Sequence, residues 1–176
     1  LTGNLRGGRL VHPPAAHVTG RSTLEITPHS FLTLAQGLLP CAEAEFEVLW
    51  AARPAPTPNP FDPDGPEIVR RQGTYGKEYR FGAQLSQCLG PIDEAPEVVQ
   101  RAVAMARAEA QKLGIDPKLA TVAHTNWYEI GPKRVASLGY HQDVDPAGNG
   151  LPIMSFTLMS CPEGVAPYRY FVIAND

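Results

Sequence analysis

The sequence predicts an α+β, mainly β fold, in which helices pack outside an antiparallel sheet or jelly roll. A long amphipathic helical pattern covers residues 95–113. Runs rich in β-branched and aromatic residues then follow one another along the chain. They lie at 120–128, 135–143, 153–159 and 168–173, with the turn residues Gly148-Asn149-Gly150 between the second and third. Helical material followed by successive strands is typical of a sheet with helices segregated to one side.

The long helix carries the strongest local signals. Asp93 and Glu94 stand at its start, where negative charge suits the helix dipole. Gly114 follows its last turn and is expected to cap it. Its predicted apolar stripe consists of Val99, Ala102, Val103, Ala106, Ala110 and Leu113.

Shorter elements are expected before this helix. Thr27-Pro28 predicts a helix start, and apolar residues at helical spacing continue to Pro40. Residues 44–50 alternate between apolar and acidic, which favours a half-exposed strand, with a helix as the alternative. Residues 67–85 hold short β-type runs broken by glycines. The proline-rich stretch 53–66 predicts an extended loop, interpreted as a surface connector rather than a ligand motif.

Length and composition limit the class of protein. The chain has 176 residues, which fits one domain at 24–176 preceded by an irregular arm at 1–23. A net charge of -3 gives no overall attraction to nucleic acid, so any such contact needs a local basic patch. No apolar run reaches the ~18 residues of a membrane span.

Cysteine usage predicts an intracellular, reducing compartment. Cys41, Cys88 and Cys161 are far apart and odd in number, which disfavours a disulfide framework or a structural zinc site. The arm carries arginines and no acidic residue, a faint likeness to the tail of an organelle transit peptide. A solvated basic arm is the favoured interpretation, and the choice between cytoplasm or nucleus and an organelle such as the mitochondrion stays open.

The segment Tyr140–Asp145 carries metal-competent side chains. On an extended strand, His141, Asp143 and Asp145 point to the same side. A histidine and a carboxylate at this spacing supply two corners of a 2-His-1-carboxylate facial triad, the ligand set of non-haem Fe(II). Taken alone, the segment fits a surface strand end with an acidic turn better than a metal site.

A second polar pair lies upstream. Asn126 and Tyr128 are two residues apart and share one strand face, while Trp127 points the other way, into the core. An amide beside a phenol makes a hydrogen-bonding wall suited to a small carboxylate or carbonyl ligand. An ordinary polar pair on a strand is the alternative. His124 shares this face but is disfavoured as a metal ligand.

The order of these pieces resembles the AlkB family of Fe(II)/2-oxoglutarate dioxygenases. The resemblance covers about residues 27–176, and the combination is more specific than any single motif. Its pieces are Arg71-Gln-Gly-Thr-Tyr-Gly76 with Tyr79-Arg-Phe81, Asn126-Trp-Tyr128, His141-Gln-Asp-Val-Asp145 and Pro152-Ile-Met-Ser-Phe-Thr-Leu158.

The resemblance implies a double-stranded β-helix with supporting N-terminal helices, and two cofactors. His141 and Asp143 correspond to the first two ligands of Fe(II), and Asn126 and Tyr128 to contacts with 2-oxoglutarate. The family reaction removes an alkyl group by oxidation. Oxygen and 2-oxoglutarate are consumed, and succinate, carbon dioxide and an aldehyde leave.

The resemblance also implies residues that contact the substrate. Asp145 corresponds to a second acid that helps to recognise the substrate base in some members. Tyr75 and Tyr79 belong to a stretch that resembles part of the lid over the substrate. The implied function is oxidative demethylation of a nucleic-acid base or of a protein side chain.

Two departures separate this chain from the family pattern. No histidine follows His141, and the sequence ends before the strand on which the family carries its third iron ligand and the arginine that binds the distal carboxylate of 2-oxoglutarate. An insertion, 130–138, separates the two polar motifs. Either the distal part lies beyond Asp176, or the protein is a catalytically inert AlkB-like fold that serves as a structural subunit of a larger assembly.

Overall fold

The structure is a computed structural model, and it describes residues 21–27, 30–35, 37–56, 70–81, 84–128 and 153–158. The chain forms two compact units. One comprises Leu1–Pro40 with Met159–Asp176, and the other is Cys41–Leu158.

The first unit contains an antiparallel hairpin. Strands β1 (Arg21–Thr27) and β2 (Ser30–Ala35) pair along their length, and the hydroxyls of Thr23 and Thr33 lie 3.1 Å apart. The helix predicted from Thr27-Pro28 to Pro40 is therefore wrong over β2. A short apolar run fits either period, and the ladder to β1 decides between them. Strand β1 begins at Arg21, inside the range 1–23 predicted as an arm, and residues 1–20 lie outside the described ranges.

The second unit begins with helix α1 (Glu43–Ala51), where the favoured prediction was a strand. The backbone N–H of Ala42 donates to Glu45 Oε2 at 2.9 Å, which satisfies a free group at the helix start. One turn apart, the rings of Phe46 and Trp50 stack with centroids 6.1 Å apart. The alanines, glutamates and leucine of this segment are strong helix formers, so local propensity outweighs the alternation.

Helix α2 (Glu97–Lys112) confirms the predicted long helix, with Val98, Val99 and Val103 buried. Gly114 adopts a φ of 73°, and the N–H of Ile115 reaches back to the carbonyl of Ala110 at 2.9 Å. This is the Schellman ending that the glycine predicted. Leu113 does not belong to the buried stripe: it follows the last helical residue and is 56% exposed.

A three-stranded mixed sheet forms the centre of this unit. Strand β3 (Arg70–Gly76) lies between β6 (Gln87–Gly90), which is parallel to it, and β7 (Val122–Tyr128), which is antiparallel. Between β3 and β6 the chain forms a small hairpin, β4 (Arg80–Phe81) with β5 (Gln84–Leu85).

Gly73 does not interrupt β3, contrary to the predicted break. A Cβ at this position would lie 2.6 Å from Leu89 Cδ1 on the neighbouring strand, so any larger residue requires that leucine to move. The missing side chain at Gly73 leaves room for the Leu89 side chain on this face of the sheet.

The remaining predicted strands have different outcomes. The prediction for 120–128 is confirmed as β7. The prediction for 153–159 is wrong at 153–158, which form neither helix nor strand, since none of the described strands pairs with them. The runs at 135–143 and 168–173 lie outside the described residues, as does most of the proline-rich loop. The jelly roll remains a prediction.

No helix in the described part of the chain is both long and apolar enough to cross a membrane.

Candidate functional site

One face of the β3–β7 pair is polar. The antiparallel register sets His124 opposite Thr74, Asn126 opposite Gln72, and Tyr128 opposite Arg70. Facing residues in such a ladder share one side of the sheet, with their Cβ atoms about 5 Å apart. We refer to this side as the polar face, formed by Arg70, Gln72, Thr74, His124, Asn126 and Tyr128.

The opposite face is anchored in the core. Trp127 is 4% exposed, and its Nε1 donates a hydrogen bond to the carbonyl of Leu49 in α1 at 2.9 Å. The hydroxyl of Thr125 donates to the carbonyl of Gly73 at 3.0 Å. The predicted burial of Trp127 is confirmed. Because side chains alternate along a strand, this anchoring turns Asn126 and Tyr128 to the polar face.

Part of the polar face is accessible. Asn126 and His124 are exposed, whereas Tyr128 and Arg70 are half-buried. Thr74 is completely buried, with its hydroxyl 3.4 Å from the carbonyl of Gln87. An amide, a phenol and a guanidinium therefore lie side by side on adjacent strands. These groups can donate hydrogen bonds to a carboxylate, and the guanidinium adds the opposite charge.

Tyr79 lies at one end of this face, next to the imidazole of His124. The ring centroids are 5.2 Å apart and the planes are tilted by 43°. Ser86 Oγ is 3.4 Å from His124 Nδ1 on the same side. The stretch resembling a substrate lid thus contacts β7 two residues from Asn126.

Tyr75 is placed elsewhere. It faces Ala123 in the ladder, on the Trp127 side of the sheet, and is 5% exposed. Burial raises the pKa of its phenol above the ordinary value. The structure does not bring the two predicted lid residues together, because Tyr75 belongs to the strand itself and Tyr79 to the loop after it.

The predicted metal ligands His141 and Asp143, and the predicted substrate contact Asp145, lie outside the described residues. Within the described ranges, no three His, Cys, Asp or Glu side chains come together in a group that could hold a metal ion. The iron site therefore remains a prediction based on the donor types at 141 and 143.

Sequence reasoning missed Arg70, Gln72 and Ser86. Arg70 and Gln72 are two residues apart on β3, as Asn126 and Tyr128 are on β7, so the sequence of each strand predicts that its two residues share a face. The sequence does not predict that the two strands pair with each other. Ser86 carries no local signal of its contact with His124, which lies 38 residues away.

Comparison with protein-family models, with curated proteins and with solved structures finds no match to this chain.

Proposed function

We propose that this chain is an AlkB-like Fe(II)/2-oxoglutarate-dependent dioxygenase that demethylates a nucleic-acid base or a protein side chain. The observation that carries the proposal is the shared placement of Asn126 and Tyr128 on the polar face, next to Arg70. These residues meet the requirement for a carboxylate-binding wall, and the wall is held from behind by Trp127. The ordered motifs of the sequence supply the reaction class.

The polar face would hold the cosubstrate in three ways. The guanidinium of Arg70 pairs with a carboxylate of 2-oxoglutarate, as a fixed fork of N–H donors. The phenol of Tyr128, opposite Arg70 in the ladder, donates to the same carboxylate. The amide of Asn126, about 7 Å further along β7, binds the other part of the molecule. Arg70 then supplies the positive charge of the arginine that the family pattern includes and this sequence lacks.

Fe(II) would be held by His141 and Asp143, and when bound it activates oxygen for oxidation of the alkyl group. Asp145 is proposed to accept a hydrogen bond from the substrate. Tyr79 is proposed to cover the substrate at the His124 end of the polar face. Tyr75 is buried on the opposite side of the sheet, so its contribution is to packing of β3.

The first experiment measures succinate formed from 2-oxoglutarate by the full-length, iron-loaded protein in air. We expect turnover that His141→Ala abolishes and that His17→Ala, a histidine of the arm, leaves unchanged. Absence of turnover in the unsubstituted protein contradicts the proposal.

The second experiment tests the cosubstrate wall. Arg70→Gln and Tyr128→Phe are each expected to raise the KM for 2-oxoglutarate by about tenfold, the effect of losing one charge-assisted or buried hydrogen bond. Arg107→Gln is the matched control, because Arg107 bonds the carbonyl of Ala120 from helix α2. If Arg70→Gln and the control have the same KM for 2-oxoglutarate, Arg70 does not bind the cosubstrate.

The alternative, a catalytically inert subunit of a larger assembly, makes the opposite prediction. Such a protein binds neither iron nor 2-oxoglutarate, and its substitutions at the polar face change no ligand affinity. Metal analysis of the purified protein and titration with 2-oxoglutarate distinguish the two.

A further inference from the structure

We infer that His124 is a positioning residue that holds the β4–β5 hairpin, through the flanking Tyr79 and Ser86, against strand β7 beside the polar face. This inference goes beyond the proposed reaction. It concerns the loop that borders the face, whichever ligand the face binds.

The hairpin closes on itself at its base. Arg80 pairs with Leu85 and Phe81 with Gln84 in the β4–β5 ladder. The next rung outward is the backbone bond from the N–H of Ser86 to the carbonyl of Tyr79, at 2.9 Å. Tyr79 and Ser86 are thus the two ends of one small closed unit. So short a ladder is marginal alone, and contacts outside it add to its stability.

Both ends of the hairpin contact the same imidazole. The Tyr79 ring packs against the ring of His124 at 5.2 Å, and Ser86 Oγ lies 3.4 Å from Nδ1. A hydrogen bond forms in either tautomer, because a hydroxyl both donates and accepts. Ser86 is 2% exposed although His124 is exposed. The imidazole therefore contacts both residues at the base of the hairpin.

The attachment point has a consequence for access. His124 stands two residues before Asn126 on the same face of β7. A hairpin held at His124 borders the polar face at that end, and a detached hairpin leaves the end open. His124 thereby fixes the position of the hairpin relative to that end of the polar face.

Amide hydrogen exchange of residues 79–86 in the full chain tests this, since local opening sets the exchange rate. We expect His124→Ala to raise the exchange rate of the Ser86 amide about tenfold, equivalent to ~1.4 kcal/mol. Trypsin cleavage after Arg80 should increase with it. Thr23→Val removes a side-chain hydrogen bond in the separate β1–β2 hairpin and is expected to leave both readouts unchanged. Unchanged exchange in His124→Ala overturns the inference.

A double-mutant cycle separates a specific attachment from general loosening. His124→Phe keeps a ring against Tyr79 but removes the bond to Ser86, while His124→Asn keeps an acceptor near the position of Nδ1. We expect Ser86→Ala to speed exchange about fivefold in the unsubstituted protein and to have no effect in His124→Phe. His124→Asn should restore the sensitivity to Ser86→Ala. Additive effects in His124→Phe would show that the two residues act independently, and would overturn the inference.

The exchange experiments test the attachment of the hairpin separately from the proposed dioxygenase activity. Altered exchange in a protein without dioxygenase turnover supports the attachment and rejects the proposed function. Turnover with unaltered exchange does the reverse.

Discussion

The indole Nε1 of Trp127 donates a hydrogen bond to the carbonyl of Leu49 at 2.9 Å, across 78 residues of sequence. The bond joins β7 to α1, and it lies directly behind the proposed cosubstrate wall. The orientation of Asn126 and Tyr128 thus depends on packing on the opposite side of the sheet.

Replacing this indole should destabilise the fold. We expect Trp127→Phe to lower the free energy of unfolding by ~1–2 kcal/mol, because the hydrogen bond and part of the buried surface are lost. Chemical denaturation measures the change. Trp50→Phe is the control, since it keeps an aromatic ring between Phe46 of α1 and Arg53, which follows the helix. Equal effects of the two substitutions would contradict a special role for the Leu49 bond.

Gly73 and Leu89 form a second testable pair. We expect Gly73→Ala to cost ~1–3 kcal/mol, because the new methyl group meets the leucine side chain in the buried strand. Leu89→Ala removes the obstacle, so Gly73→Ala should cost much less in that background. Thermal denaturation of the four proteins in the cycle gives the coupling. If Gly73→Ala costs the same in both backgrounds, the clash is not its cause.

The Glu45–Arg101 ion pair links α1 to α2 and predicts a pH dependence. Arg101 Nη1 and Nη2 lie 2.5 and 3.2 Å from the two carboxylate oxygens, and about a third of each side chain is exposed. The hydrogen bond from Arg101, followed by that from the Ala42 backbone, lowers the pKa of Glu45 below its ordinary value. A lowered folded-state pKa adds stability above the ordinary carboxyl pKa, and this is lost as the pH falls through the folded value.

We therefore expect Glu45→Gln to destabilise the protein at pH 7 and to reduce the loss of stability between about pH 5 and pH 3. Urea denaturation at a series of pH values measures both effects. Glu47→Gln, at an exposed residue of the same helix, is the matched control for removing one negative charge from α1. A profile that is the same in Glu45→Gln and in the unsubstituted protein would show that the pair contributes no linkage.

Tyr75 predicts an effect at the other end of the pH scale. Burial raises the pKa of its phenol, so the folded state favours the neutral form. This contribution is complete below the ordinary tyrosine pKa and is lost as the pH rises through the higher folded value. Ultraviolet titration of the phenolate band should show a late-titrating tyrosine that Tyr75→Phe removes. Loss of an early-titrating tyrosine instead would contradict the burial.

The sequence predicted correctly those features that depend on a single short segment of the chain. The α2 helix, its ending at Gly114, the strand over β7 and the inward direction of Trp127 all follow from patterns within a few turns of chain. The prediction failed at β2, at α1 and at 153–158. There, short apolar or alternating runs fit more than one period, and propensity or a pairing partner decides.

The sequence by itself determined that Asn126 and Tyr128 share one strand face with His124, because side-chain alternation is a property of the strand alone. Only the tertiary structure decided what stands beside them. The β3–β7 register brings Arg70 opposite Tyr128, and the return of the chain after β5 brings Ser86 to His124. Both relationships join residues distant in sequence. Ladder hydrogen bonds and core packing select such pairings, and the sequence of neither segment alone indicates its partner.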